Sequence, residues 1–299
     1  MKMKSIVGIS TILCISLLLS SCNYGLHQFL YRSDEANSRS SLVEDLDAAG
    51  KDPSINGNSS FSVVVISDVH FGRMAHKTNS RPDAAFMTWL AEKKNELSAA
   101  GSPLQFCICL GDCVETGYAD EYIQYKKFAT KIKDTLGLQL YSTVGNHDLF
   151  NSGWSMWKQS VYPGVSSYKF TTAQGEYKMS WYFLDSGNGT LGYNQLTDVV
   201  KKMDEDPNPK LVFTHYPIYA NGIFYFTMQN ETERDTLLAA FGRDKVLQVL
   251  EGHYHVGGSY QYGNLFNETI LKSYLDFHSA GILKINLESQ TATIEQFSF

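Results

Sequence analysis

From Phe61 onward, short apolar runs alternate with amphipathic stretches, and this alternation restricts the possible folds more than any single motif does. Phe61–Ile66, Leu104–Leu110 and Leu138–Val144 are brief runs of high β propensity that end at polar or glycine residues, so they read as buried strands. Between them, Pro82 followed by Phe86, Leu90 and Leu97 predicts one helix, and Tyr125, Phe128, Ile132 and Leu136 predict another. Leu196, Val199, Val200 and Met203 then form a helical stripe. Asn230 with Glu233 gives a capping-box-like start to a helix carrying Leu237, Leu238 and Phe241. Gly281–Leu287 and Thr291–Phe299 read as a terminal hairpin. Strands separated by helices in this way predict an α/β fold.

The chain has 299 residues, 43% of them hydrophobic, enough for one large domain or two small ones. Its formal net charge is -6, with no basic stripe interleaved with aromatics, so no platform for a long nucleic acid is expected. A small anionic substrate stays compatible, because bound cations reverse the local field. Cys107 and Cys109 alternate on an apolar run and read as buried thiols. Without a second Cys pair, neither they nor Cys113 predict a zinc site.

Residues 1–21 read as a targeting segment. Lys2 and Lys4 precede the apolar stretch Ile6–Leu19, which is short for a membrane span and has the order of a secretory signal. Its end, Leu19-Ser20-Ser21-Cys22, resembles the lipobox of bacterial lipoproteins. That resemblance implies cleavage before Cys22, lipidation of its thiol and a membrane-anchored location in the bacterial cell envelope. The alternative is an ordinary signal in which Cys22 is incidental. Residues 22–60 form the next unit. Ser33–Ser60 is rich in Ser, Asn, Asp and Gly and reads as a tether or loosely packed arm, while Tyr24–Tyr31 is aromatic enough to rest on the domain or the membrane. The remaining unit is 61–299.

Within that unit five blocks follow the apolar runs: Asp68-Val69-His70, Gly111-Asp112, Gly145-Asn146-His147-Asp148, His215 and Gly252-His253-Tyr254-His255. Each sits at the carboxyl end of a predicted strand, where open α/β sheets bind ligands, so groups distant in sequence converge on one crevice. Carboxylate, imidazole and amide oxygen together suit Mn, Fe, Zn or similar divalent ions.

Taken in order, the blocks resemble the calcineurin-like metallophosphoesterase family, whose pattern is DxH, GDxxD or E, GNHD or E, a lone His, and GHxH. Here Gly111-Asp112-Cys113-Val114-Glu115 fills the second element, and the resemblance runs from Phe61 to Phe299. It implies a four-layer α/β/β/α sandwich of two mixed sheets and two divalent transition-metal ions. One ion would be held by Asp68, His70, Asp112 and His255, and the other by Asp112, Asn146, His215 and His253. The implied reaction is phosphoester hydrolysis by a metal-activated hydroxide. His147 would donate a proton to the leaving oxygen or stabilise charge there, with Asp148 orienting it. Glu115 reads as a turn or supporting residue, and His27, His76 and His278 lie outside the pattern.

The substrate is less legible. Tyr216 and Tyr219, followed by Phe224, Tyr225 and Phe226, either roof the crevice and stack on a base, sugar or aromatic leaving group, or belong to the core. Arg73 and Lys77 either meet a phosphate or are solvated. The expected partners are a small phosphorylated substrate and a membrane reached through lipid on Cys22, with no protein partner predicted. Few cationic donors surround the blocks, which favours phosphodiesters or pyrophosphate-type bonds over phosphomonoesters. The rival of another class is a noncatalytic phospholigand-binding or surface-interaction lipoprotein that retains the metal site. The full donor set and His147 weigh against it, and turnover discriminates the two.

Overall fold

The computed structural model describes residues 32–53, 55 and 58–299; the signal segment, Cys22 and the 24–31 stretch lie outside the described residues. In chain order its elements are α1 (Arg32–Arg39), β1 (Glu44–Asp45), β2 (Ser60–Ile66), α2 (Asp83–Ala99), β3 (Leu104–Cys109), α3 (Ala119–Leu136), β4 (Gln139–Ser142), α4 (Gly153–Ser160), β5 (Tyr168–Gln174) and β6 (Tyr177–Phe183). There follow α5 (Gly192–Glu205), β7 (Lys210–Phe213), α6 (Glu231–Arg243), β8 (Val246–Glu251), β9 (Val256–Tyr262), β10 (Phe266–Lys272), α7 (Tyr274–Phe277), β11 (Ser279–Asn286) and β12 (Thr291–Ser298).

Two mixed sheets result, one ordered β1-β5-β6-β7-β8-β10-β9 and the other β12-β11-β2-β3-β4. β2, β3 and β4 are mutually parallel, as are β6, β7, β8 and β10, while β11 and β12 form the antiparallel terminal hairpin. The largely apolar character of β2 has a direct cause: both its faces are covered. Phe61, Val63 and Val65 enter the core between the sheets with Phe106, Phe170, Trp181 and Phe213, whereas Val64 and Ile66 face Phe86, Leu90, Phe128 and Ile132 of α2 and α3. On the far side Tyr182, Val212 and Val249 pack against Val199, Met203, Leu237 and Phe241 of α5 and α6. These layers give the α/β/β/α sandwich that the resemblance implies.

Some local expectations change in detail. The Asn230 side chain accepts from Glu233 N at 3.2 Å, capping α6, but the Glu233 carboxylate turns instead to Leu191 N at 2.8 Å, so only half of a capping box forms. Cys107, Cys109 and Cys113 are buried free thiols, and burial pushes Cys107 up to about 12, which leaves it inert.

The 33–60 segment requires a correction, because its first half is part of the domain. Ala36, Val43 and Leu46 are buried, and β1 pairs in parallel with β5. Arg39 donates from Nε at 2.7 Å and Nη2 at 3.2 Å to Asp185, and Ser40 Oγ donates to the same carboxylate at 2.6 Å. Polar composition suggested a loose arm; three apolar anchors and one buried ion pair dock it.

Candidate metal centre

β2, β3 and β4 end side by side in one sheet, β7 and β8 in the other, and all five donor blocks follow those ends. On one side Asp68, His70 and His255 converge: His255 Nε2 lies 3.2 Å from Asp68 Oδ1 and 3.4 Å from His70 Nε2. On the other, His215 Nε2 lies 3.3 Å from Asp112 Oδ2 and 3.1 Å from Asn146 Oδ1, with His253 completing the group. Asp112 stands between them, 3.8 Å from His70 Nε2. The structure therefore gathers Asp68, His70, Asp112, Asn146, His215, His253 and His255 in one crevice.

Backbone conformation aims these side chains. Asp68, His70, Asp112 and His253 all have positive φ, between 49° and 62°, a region that costs an L residue about 1–2 kcal/mol. Close approach is allowed by missing side chains. A Cβ at Gly145 would overlap the backbone nitrogen and carboxylate of Asp112, and one at Gly252 would overlap Ser67 Oγ.

The electrostatics fit a cation. Among the described residues the two buried carboxylate oxygens of Asp68 meet imidazoles but no well-formed hydrogen-bond donor, and no Lys or Arg pairs with Asp68 or Asp112. Burial opposes charge on Asp68, yet His255 and His215 outweigh it and hold the carboxyl below its ordinary range. Burial likewise opposes charge on Asp112, and His215 and His147 outweigh it. The imidazoles are pulled apart: burial lowers His215, but Asp112 raises it to about 9, whereas burial and the neighbouring His215 push His253 down to about 3. Protons cannot satisfy all of these donors together. Divalent ions can, since each imidazole binds a metal in its neutral form.

A second ring of contacts orients the donors. His215 Nδ1 lies 2.7 Å from the Leu110 carbonyl, which fixes its proton there and frees Nε2. Glu115 Oε2 lies 2.8 Å from His70 Nδ1, and Asp276 Oδ2 lies 3.3 Å from His255 Nδ1. Arg73 joins the two carboxylates, pairing closely with Asp276 and lying 3.8 Å from Glu115. Burial would raise Glu115, but His70, His147 and Arg73 hold it below its ordinary value. Asp276 was not singled out in the sequence, since nothing local marks an acid in a short helix as a partner of His255. Arg73 braces carboxylates instead of meeting solvent, and Lys77 lies 5.9 Å from the Phe277 ring.

Three assignments need revision. His147 lies at the crevice, its Nδ1 2.6 Å from the Glu115 carbonyl and its backbone N–H donating to Asp112 Oδ1 at 2.9 Å. Asp148 does not orient it: its buried carboxylate accepts from Gly145 N at 2.8 Å and Val114 N at 3.1 Å, stapling two donor loops together. Tyr216 is only 4% exposed and stacks on His253 at 3.9 Å, so it backs a donor and offers no face to a substrate. Tyr219 turns away toward Tyr260, 4.9 Å distant, and lines a separate groove of about 580 Å³ with Ile218, Leu238 and Tyr262.

The calcineurin-like phosphoesterase family model matches residues 61–278. No curated protein matches the chain by sequence. Its fold is similar to a dimetal phosphatase from Danio rerio (TM-score 0.56, 14% identity, 83% of this chain and 100% of that one). It is also similar to 5'-nucleotidase from Candida albicans (TM-score 0.53, 15% identity, 82% and 53%) and to a 5'-nucleotidase precursor from Thermus thermophilus (TM-score 0.51, 10% identity, 80% and 54%). The chain thus spans about half the length of the two nucleotidases. With the family match covering most of its length and His/Asp clusters able to hold divalent ions at the strand ends, the chain belongs to the calcineurin-like phosphoesterase family and is a metal-dependent phosphoesterase.

Proposed function

We propose that this protein is a two-metal phosphoesterase of the bacterial cell envelope, anchored through lipid on Cys22. Asp68, His70, Asp112 and His255 hold one divalent ion, and Asp112, Asn146, His215 and His253 hold the other. The observation that carries the two-metal reading is that Asp112 stands in a donor group with His215 and His253 on one side of the crevice and in another with His70 and His147 on the other. When bound, such ions acidify water and polarise phosphoryl oxygens.

The chain's own groups do the rest. A carbonyl oxygen only accepts, so the 2.6 Å contact with Glu115 keeps a proton on His147 Nδ1 and leaves Nε2 as the nitrogen that serves the substrate. Protonated, Nε2 delivers its proton to the leaving oxygen. Arg73 is held by Asp276 and Glu115, which removes it as a counter-charge for a phosphate dianion and supports diesters over monoesters.

Chelation followed by reloading with Mn, Fe or Zn should restore two equivalents per chain, together with faster hydrolysis of a bis-aryl than of a mono-aryl phosphate. Full activity at one equivalent sinks the two-metal reading. Phosphate binding without turnover under every metal would instead favour the noncatalytic lipoprotein. Intact-mass analysis of the membrane-extracted chain reads lipid on Cys22.

His147→Ala should lower kcat by about 10²–10⁴-fold for alkyl esters while leaving metal content unchanged. For esters with a good aryl leaving group, which needs no proton, the loss should be much smaller. Equal losses across leaving groups would assign His147 to charge stabilisation and remove it from proton transfer.

A further inference from the structure

The connection after His215 carries an uncharged stretch, residues 216–230, whose tip is not folded into the core. A short 3-10 turn spans Phe224–Phe226, and Ile223, Phe224 and Tyr225 are 38%, 50% and 69% exposed. Grouped large apolar side chains in water mark a contact surface more often than isolated ones do. Phe226 turns inward, its ring 5.8 Å from His253 and 5.0 Å from Tyr254, so the tip borders the metal centre.

The far end of this connection is linked to the segment that leads back to Cys22. Loop 188–191 joins them. On one side Gln229 N donates to Gly189 O at 3.0 Å and Leu191 N donates to Glu233 at 2.8 Å. On the other, Asn188 donates to Glu35 of α1 at 2.9 Å and accepts from Arg39. With α1 docked from Arg32 onward, the chain length between Cys22 and Arg32 keeps the two within ~36 Å of each other. Among the described residues no helix is long and apolar enough to cross a membrane.

We infer that the Ile223-Phe224-Tyr225 tip is a membrane-interface contact that seats the mouth of the metal centre on the lipid surface. The inference rests on the lipid-anchor reading of Cys22. Aromatic rings with a polar edge favour the headgroup boundary, and a tip without charges enters it by apolar burial alone. Lipid on Cys22 and the tip then act as two weak anchors, which together hold where a single chain gives only marginal binding.

The test uses the full chain carrying Tyr225→Cys, extracted from membranes, labelled with an environment-sensitive thiol dye and reconstituted into phosphatidylethanolamine–phosphatidylglycerol vesicles. Cys107, Cys109 and Cys113 are buried and should not take the dye. The same dye on Lys284→Cys, an exposed position in the other sheet, is the reference. The inference expects emission at 225 to be blue-shifted, several-fold brighter than at 284 and quenched by nitroxide-labelled lipid. It should also hold between about 0.05 and about 0.5 M salt, a range over which charge attraction is screened. Water-like emission at 225 overturns the inference, whether or not the protein stays with the vesicles. So does brightening that appears only on adding a soluble phosphoester, which would make the tip a roof over the crevice. Intact mass of the same sample counts lipid and dye, so a failed lipid-anchor reading is told apart from a failed tip contact.

Discussion

Replacing Asp112 with alanine should leave a folded protein that retains neither ion and hydrolyses aryl phosphates about 10³–10⁴-fold more slowly, because metal-ion catalysis is worth several kcal/mol and each ~1.4 kcal/mol is tenfold. One carboxylate reaches toward donors on both sides, 3.3 Å from His215 and 3.8 Å from His70, and also accepts the His147 N–H at 2.9 Å. Its loss removes the anion that would lie between two cations. It also frees the backbone of the loop bearing Asn146 and His147. Asp112→Asn separates these effects, since it keeps an oxygen for His147 but not the charge. Elemental analysis alongside kcat/KM decides: an alanine variant with wild-type metal content and rate would remove Asp112 from the centre.

The second large effect is on stability, far from the chemistry in sequence. Arg39→Ala should cost about 3–5 kcal/mol, because it leaves the Asp185 carboxylate buried without its counter-charge. The side chains of Arg39 and Asp185 are 6% and 0% exposed, so solvent cannot replace the guanidinium. In calorimetry this corresponds to a Tm lower by roughly 10 °C for a domain of this size. Adding Asp185→Asn should recover part of the loss, since the double variant buries no unpaired charge. A loss below about 1 kcal/mol, the range of a solvated pair, would contradict the docked arm.

What the sequence disclosed and what it hid follow from where each signal comes from. β2, β3 and β4 were legible because strands covered on both faces are mostly apolar and carry no charged residue, and their ends stand out as the first acids and imidazoles after an apolar run. β9, Val256–Tyr262, was not, because it is an edge strand that alternates half-exposed and exposed residues and carries two glycines. α1 was hidden by its polar composition, since the apolar anchors of the segment are spread from Ala36 to Leu46 and its strongest tie is an ion pair across 146 residues. Adjacency misled for Asp148. The 3-10 turn His147–Leu149 sends neighbouring side chains in different directions, one to the crevice and one beneath it. Tyr216 shows the same limit, because only packing reveals that its ring covers His253.

The left-handed backbone at Asp68, His70, Asp112 and His253 has a meaning beyond geometry. At each of these positions glycine would relax the chain, and it would also delete a donor. Local conformational preference and chemistry therefore pull in opposite directions at four residues of one crevice, and at all four the chemistry has prevailed. Such a concentration of disfavoured torsions on acids and imidazoles marks the place where the molecule gives up stability for function, and it does so without reference to any relative.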